Sequence, residues 1–335
     1  MSRLPRRQLL VAASLALLSG AVRAQEPAAP GRPLVFGLIT PRAAEQTRAN
    51  WMPFVSRMAA DLKRPVELRL FAESRDLVQA MRSAEVDLAW LGNAAALDVV
   101  ESGTGSVFAQ MVAKDGSVGY RSVLVVPRDS PVGSLSEVIQ KSKTLRFGDG
   151  EPKSTSGHMV PSYFAFQKNG VNDVKAVFKS VSNASHQKNL TMVARGEVDV
   201  ATANNEELAF FARDVPQLSG QVRVIWESPL IAQSPLVWHS ALPKSLRARI
   251  LKFVVGFGSN AEERDILMRL NGLSAFRQSS NRQLVPTADL EMFKARQAIN
   301  NDASLSPQER AHRIDEVIRR GSKLDLLLKL SASTW

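Results

Sequence analysis

The sequence predicts an α/β protein built as two similar lobes, each a mostly parallel sheet flanked by helices, with a ligand cleft between them. Two observations carry that expectation. From residue 32 onward short apolar runs alternate with longer segments of helical spacing, and ten residues beginning at Ala84 are echoed 112 positions later. Alternating strands and helices cover both faces of a sheet with helices, which favours parallel pairing through crossover connections.

Residues 32–38 (RPLVFGL) read as the first strand, and residues 41–61 then bring Trp51, Phe54, Val55 and Met58, with Leu62 beyond, to one helical face. A second strand at 66–71, a helix at 75–82 and a short apolar strand at 86–90 continue the alternation. Residues 121–126 (RSVLVV) form a strand closed by Pro127, and 134–142 opens with serine caps as a short helix. A strand at 145–147 runs into the glycine-rich loop 148–153 (GDGEPK), after which 154–168 is expected as a helix carrying Tyr163, Phe164 and Phe166. Residues 171–181 return through a helix and a strand. Beyond the strand 222–226 and the prolines Pro229 and Pro235, residues 236–239 are extended. From Pro243 the chain is expected to be mainly helical, at 244–255, 261–270, 288–297 and 307–328. The last of these mixes Arg310, Arg313, Arg319 and Arg320 with acids and reads as a solvated surface helix.

The echo pairs AEVDLAWLGN at 84–93 with GEVDVATANN at 196–205. Each copy follows a helical stretch, passes through Glu-Val-Asp into a buried strand and ends on Asn. Helix, turn and buried strand recur throughout α/β folds, so the likeness is also what chance would give. The other reading is two lobes that each offer a strand carboxyl end to a shared cleft, where open α/β sheets take their ligands. On that reading Asn93 and Asn205 are candidate contacts.

Composition narrows the chemistry. The 335 residues include no Cys and only four His, which excludes a disulfide scaffold, an iron–sulfur cluster, a thiolate zinc site and a cysteine nucleophile. A net charge of +11 would suggest nucleic acid, but Arg3, Arg6, Arg7 and Arg23 fall in the first 24 residues, where no acid occurs. That stretch combines a basic start, an apolar run at 9–18 and small residues before Ala24, and reads as an export signal cleaved near Ala24. Its pair Arg6-Arg7 leaves the Sec and twin-arginine routes both open. Without the leader Lys+Arg falls from 43 to 39 against 32 acids, a net +7 with no basic block. The mature protein is expected to be a soluble periplasmic monomer with no membrane anchor.

No G-x-x-x-x-G-K-[ST], G-x-G-x-x-G, G-x-S-x-G or H-E-x-x-H string occurs, so no catalytic residue, metal or cofactor is expected and the protein is read as a non-enzyme. Ser154-Thr155-Ser156-Gly157 instead follows a strand and a glycine-rich loop at a helix start. Hydroxyls and unpaired backbone N–H groups converge there at the positive end of the helix dipole, which suits a tetrahedral oxyanion. The tetrapeptide equally fits an ordinary serine N-cap.

The segments WMPFVSRM, VDLAWLGN, VFAQMVAKDGSVGYRSVLVV, GDGEPKSTSGHMVPSYF, GEVDVATANNEEL and VRVIWESPLIAQSPLVW occur in this order. Together they resemble the periplasmic phosphonate-binding protein of a bacterial ABC importer, the PhnD-type family of the type II solute-binding proteins. The resemblance implies a two-lobed clamp: 25–120 with 235–300 as one lobe, 121–234 as the other, and 301–335 as a C-terminal helix. It would close about hinges near 120–127 and 226–238. It also implies that a phosphonate group rests on Ser154, Thr155 and Ser156, with Tyr120, His186 and Glu206 as further ligand contacts. Two positions depart from the family pattern: Ser74 stands where a tyrosine is expected and Ser234 where an aspartate is expected. Both belong to the ligand's tail in that pattern, and their loss weakens selection for an amine. The implied ligand is a phosphonate or a small relative such as phosphite, methylphosphonate or phosphate, and the implied partner is an importer permease. The same fold also serves oxyanion sensors that partner a membrane histidine kinase.

Overall fold

The computed structural model describes residues 32–40 and 43–330, so the expected leader and its cleavage point lie outside the described residues. Strand β1 (Leu34–Ile39) is the apolar run LVFGLI, buried along nearly its whole length. The described strands that follow are β2 (Val66–Phe71), β3 (Leu88–Trp90), β4 (Gly105–Ala113), β5 (Gly119–Tyr120), β6 (Ser122–Pro127), β7 (Arg146–Asp149) and β8 (Ser180–Asn183). After them come β9 (Val200–Asn204), β10 (Val222–Glu227), β11 (Ile231–Ala232), β12 (Pro235–His239) and β13 (Leu273–Gln278).

They form two sheets, ordered β13-β4-β12-β3-β1-β2 and β10-β6-β9-β7-β8, joined by the ribbon β11-β5. In the first sheet β1 is parallel to β2 and β3, while β12 opposes both its neighbours and β13 opposes β4, so four of six strands share one direction. In the second, β7 is parallel to β8 and β9 while β6 opposes β9 and β10, so four of five agree. Most strands in each sheet thus share one direction, as expected; of the three that run against it, β6 and β12 lie next to the ribbon strands β5 and β11, and β13 lies at the edge of the first sheet. Each sheet is covered on both faces. Leu34, Phe36 and Leu38 enter one apolar cluster and Val35 the opposite one, and Leu124 and Val126 part from Val123 and Val125 in the same way. The helix Ala44–Leu62 closes the first face with Trp51 and Phe54, whose rings meet edge to face at 5.9 Å.

The echo is a structural repeat. After the helices Ser74–Arg82 and His186–Ala194, Ala84 and Gly196 both take the left-handed conformation, at φ 58° and 68°. Both aspartates then accept from a backbone N–H near the start of the parallel neighbour. Asp87 takes Val35 N at 2.9 Å and Asp199 takes Arg146 N at 2.7 Å, each with an arginine beside it.

Several elements differ from the sequence expectation. The segment from Thr155 is wound more widely than an α-helix: Thr155–Met159 and Ser162–Phe166 are π-helical turns, and Met159 N reaches back to Ser154 O at 3.0 Å. The C-terminal region is not all helix, because Leu273–Gln278 pairs with β4 at the sheet edge. The final helix, Pro307–Leu330, is no free surface helix. Leu324 and Leu328 are buried and the Arg320 guanidinium forks onto Glu101 with both bonds at 2.6 Å, while also reaching Glu291 at 3.2 Å. No described helix is long and apolar enough to cross a membrane.

Candidate functional site

Between the two sheets, beside the ribbon, lies a cavity of about 120 Å³ lined by Ser154, Thr155, Ser156, Tyr120, His186, Glu206, Ser74 and Ser234 among others. Its floor is the start of the π-wound segment. Ser154 is the N-cap and accepts from Gly157 N at 3.0 Å, so the serine-cap reading and the site reading hold for the same residue. The loop can close this tightly because two glycines meet. Gly150 N donates to Gly157 O at 3.0 Å, and a Cβ on Gly150 would collide with the Gly157 backbone.

Each hydroxyl has a different neighbour. Thr155 Oγ1 accepts from Ala94 N at 2.9 Å, which ties the second lobe to the helix Asn93–Glu101 of the first. Gly92 permits this approach, since a Cβ there would press to 3.3 Å on Thr155 Oγ1. Ser156 Oγ lies 3.1 Å from His186 Nε2 and accepts from Asn204 Nδ2 at 3.2 Å. Burial pushes the His186 pKa down to about 4, the Thr202 backbone acting in the opposite sense, so the ring is neutral at neutral pH and carries one N–H. Tyr120 is buried, and burial pushes its phenol well above the ordinary value. Hydrogen bonds with Ser156 and Ser234 oppose that shift and the charge of Glu206 adds to it. The tyrosine therefore stays protonated and can donate.

The acids are also held. Glu206, in the first turn of the helix Asn205–Asp214, accepts from Gln233 Nε2 at 2.6 Å. Glu151 accepts from Ser74 N at 2.8 Å and from Ser74 Oγ at 3.0 Å, bridging the lobes, and burial raises its pKa. Lys153 lines the cavity, but its ammonium pairs with Asp98 at 2.9 Å and approaches Glu291 at 3.7 Å.

Two expected contacts do not line this cavity. Asn93 does not line the cavity; its amide donates to Ala232 O at 2.7 Å and its carbonyl accepts from Gln283 at 3.0 Å. Asn205 also stays outside, accepting from Arg121 N at 2.7 Å. The asparagine that reaches the site is Asn204, one position earlier. It caps its helix by accepting from Glu207 N at 2.8 Å while its amide touches Ser156. Sequence reasoning also missed Glu151, Lys153 and Gln233. The first two lie in the loop GDGEPK and the third lies directly before Ser234, so adjacency to the chosen residues was the signal available.

A cleft at the joint of two α/β lobes, with hydroxyl and imidazole groups set among carboxylates, is the arrangement of a type II solute-binding protein. Comparison with known proteins agrees. The family model described as ABC transporter, phosphonate, periplasmic substrate-binding protein matches residues 36–284. The phosphonates-binding periplasmic protein of Escherichia coli K12 is 38% identical over 294 residues, covering 88% of this chain and 86% of that one. A probable ABC transporter phosphite-binding protein of Prochlorococcus marinus is 25% identical over 252 residues, covering 74% and 75%. The crystal structure of a binding-protein component of a Pseudomonas aeruginosa ABC phosphonate transporter superposes with TM-score 0.83 at 37% identity, covering 88% of this chain and 97% of that one. The chain belongs to the periplasmic substrate-binding proteins of phosphonate ABC transporters, a family of periplasmic proteins.

Proposed function

We propose that this protein is a non-enzymatic periplasmic receptor that closes on a small phosphorus oxyanion and hands it to an importer permease. The observation that carries this reading is the convergence of Ser154, Ser156, Tyr120 and neutral His186 on one small cavity between the lobes. Neutral donors fixed in a water-poor site bind an oxyanion strongly because they need no reorganisation. The names of the relatives support phosphonate or phosphite as the ligand class, and they favour transport over signalling.

The lobes in this reading are 25–120 with 235–300, and 121–234. Supporting that division, the first sheet draws its strands from 34–113 and 235–278, and the second from 122–227. The ribbon β5–β11 is the hinge, shorter than the sequence alone suggested. The mature chain starts after a leader cleaved near Ala24 and works as an unanchored monomer.

Ser74 is turned onto Glu151, and Ser234 supplies a hydroxyl rather than a second acid, so the tail end of the cavity suits a small group. The receptor therefore takes phosphite, methylphosphonate, phosphate or another small phosphonate in preference to an aminoalkylphosphonate. Calorimetric titration tests this. Methylphosphonate or a smaller anion should bind, and Ser154→Ala with Ser156→Ala should weaken it by about a hundredfold, two lost charge-assisted hydrogen bonds. Submicromolar binding of 2-aminoethylphosphonate with none of the smaller anions would overturn the ligand assignment.

A further inference from the structure

We propose that the second lobe supplies the caps that three helices of the first lobe lack, so that Glu151, Thr155 and Gln187 are positioning residues that set the balance between the open and the closed clamp. The inference rests on the two-lobed reading above and names the residues that govern its motion.

The opening N–H groups of an α-helix have no partner inside it, and a side chain at the N-cap ordinarily accepts from one of them. In the second lobe the helices Leu135–Lys141, Val174–Val177, His186–Ala194 and Asn205–Asp214 are capped in this way by their own Ser134, Asp173, Ser185 and Asn204. In the first lobe Ala44–Leu62, Ser74–Arg82 and Asn93–Glu101 are not, for their N-cap residues Ala43, Glu73 and Gly92 make no such bond. Each of these three starts is met from across the cleft instead. The Glu151 carboxylate accepts from Ser74 N at 2.8 Å and from the Arg75 backbone, and the Ser74 hydroxyl adds a bond of 3.0 Å. Thr155 Oγ1 accepts from Ala94 N at 2.9 Å, the bond that a threonine N-cap makes within its own helix. Gln187 Oε1 accepts from Ala43 N at 2.9 Å, as an acid does in a capping box. Gly92, which has no side chain to cap with, is also the residue whose missing Cβ leaves room for Thr155.

Lys153, in the same loop as Glu151 and Thr155, fastens it to the first lobe. Its ammonium lies 2.9 and 3.1 Å from the two carboxylate oxygens of Asp98 and 3.7 Å from Glu291. Asp98 does not line the cavity, so it acts on ligand capture only through this loop. Parting the lobes hands the helix N–H groups to water, and closing returns them to oxygens already aimed at them. Closure therefore gains what a cap gives a helix, whichever anion is enclosed. A group that touches the ligand changes the affinity of one ligand more than another, whereas a cap across the cleft changes the fraction of closed protein and so scales all affinities alike.

The chain has no cysteine, so Lys143→Cys and Lys252→Cys, both exposed and one in each lobe, can be spin-labelled without competing thiols. Double electron–electron resonance then reads the distance between the lobes, with and without methylphosphonate, and calorimetric titration with methylphosphonate and with phosphite reads the affinities. Glu151→Ala should lower the closed-to-open ratio of the ligand-free protein by about fivefold, the loss of a cap. Asp98→Asn should lower it by about threefold. Glu151→Gln, whose amide oxygen still accepts, should recover most of the loss. Within each variant the two affinities should change by one common factor. Unchanged distances together with unchanged affinities, or losses that differ between the two anions, overturn the inference while the clamp reading stands. If bound methylphosphonate moves the distance in neither the wild type nor Glu151→Ala, the clamp reading falls as well. Should neither anion bind, the oxyanion reading falls and the ligand-free distances still decide the caps. Should Glu151→Ala fail to fold by circular dichroism, Asp98→Asn decides in its place.

Discussion

At 84–87 and again at 196–199 the chain ends a helix, turns through a left-handed residue and bonds an aspartate to the neighbouring parallel strand. The two copies then diverge at the far ends of their strands. The first exits at Gly92, whose missing side chain lets Ala94 N reach Thr155 across the cleft. The second exits at Asn204, whose amide touches Ser156 directly. What repeats is therefore the entry to the strand, which only builds a sheet. The copies separate at the exit, where one offers a backbone N–H to Thr155 and the other a side chain to Ser156.

The largest expected effect falls on the exit of the second copy, where Ser156 is shared with buried His186. The imidazole titrates near 6.5 when unfolded and about 4 when folded, so the unfolded state takes up the proton first. Stability should be intact above about pH 6.5 and decline toward pH 4, by up to about 3 kcal/mol. Urea midpoints across this range, compared with His186→Gln, check it; an unchanged acid slope in the variant would detach His186 from the effect.

At the strand entries the copies should differ in degree. The Asp87 side chain is 5% exposed and that of Asp199 is 31%. Replacing Asp87 with Ala strands a buried N–H and should cost about 2 to 3 kcal/mol, while Asp199→Ala should cost about 1 kcal/mol. Equal losses in denaturant titration would mean that burial does not set the difference. The smallest effect lies at the turns. Ala84→Gly should stabilise by about 0.5 to 1 kcal/mol and Gly196→Ala should destabilise by a similar amount, because a Cβ is strained at positive φ. Thermal melts of the two variants moving in the same direction would break the equivalence of the turns.

Much of this was legible in the sequence where the determinants are local. Strand and helix alternation, the echo and the serine cluster at 154–156 each depend on neighbouring residues, and each placed its feature. The edge strand Leu273–Gln278 was not legible, because only pairing with β4, far away in the chain, makes that segment a strand. Asn205 was chosen over Asn204 because the choice turns on which residue is the N-cap, a boundary that shifts by one position with little change in local pattern. The bonds Ser74–Glu151 and Gln233–Glu206 join residues 77 and 27 positions apart, and nothing in either local stretch announces its partner.

The place of β12 carries a consequence for how the chain assembles. It lies between β3 and β4 in the first sheet, yet it is synthesised after every strand of the second. The first sheet is left with a gap at its centre until residues 235–239 arrive, whereas the second has all its strands once residue 227 is made. Shorter loop closures also favour the second sheet. Refolding should therefore order the later-numbered sheet first, and the ribbon β5–β11 then delivers β12 beside its waiting neighbours.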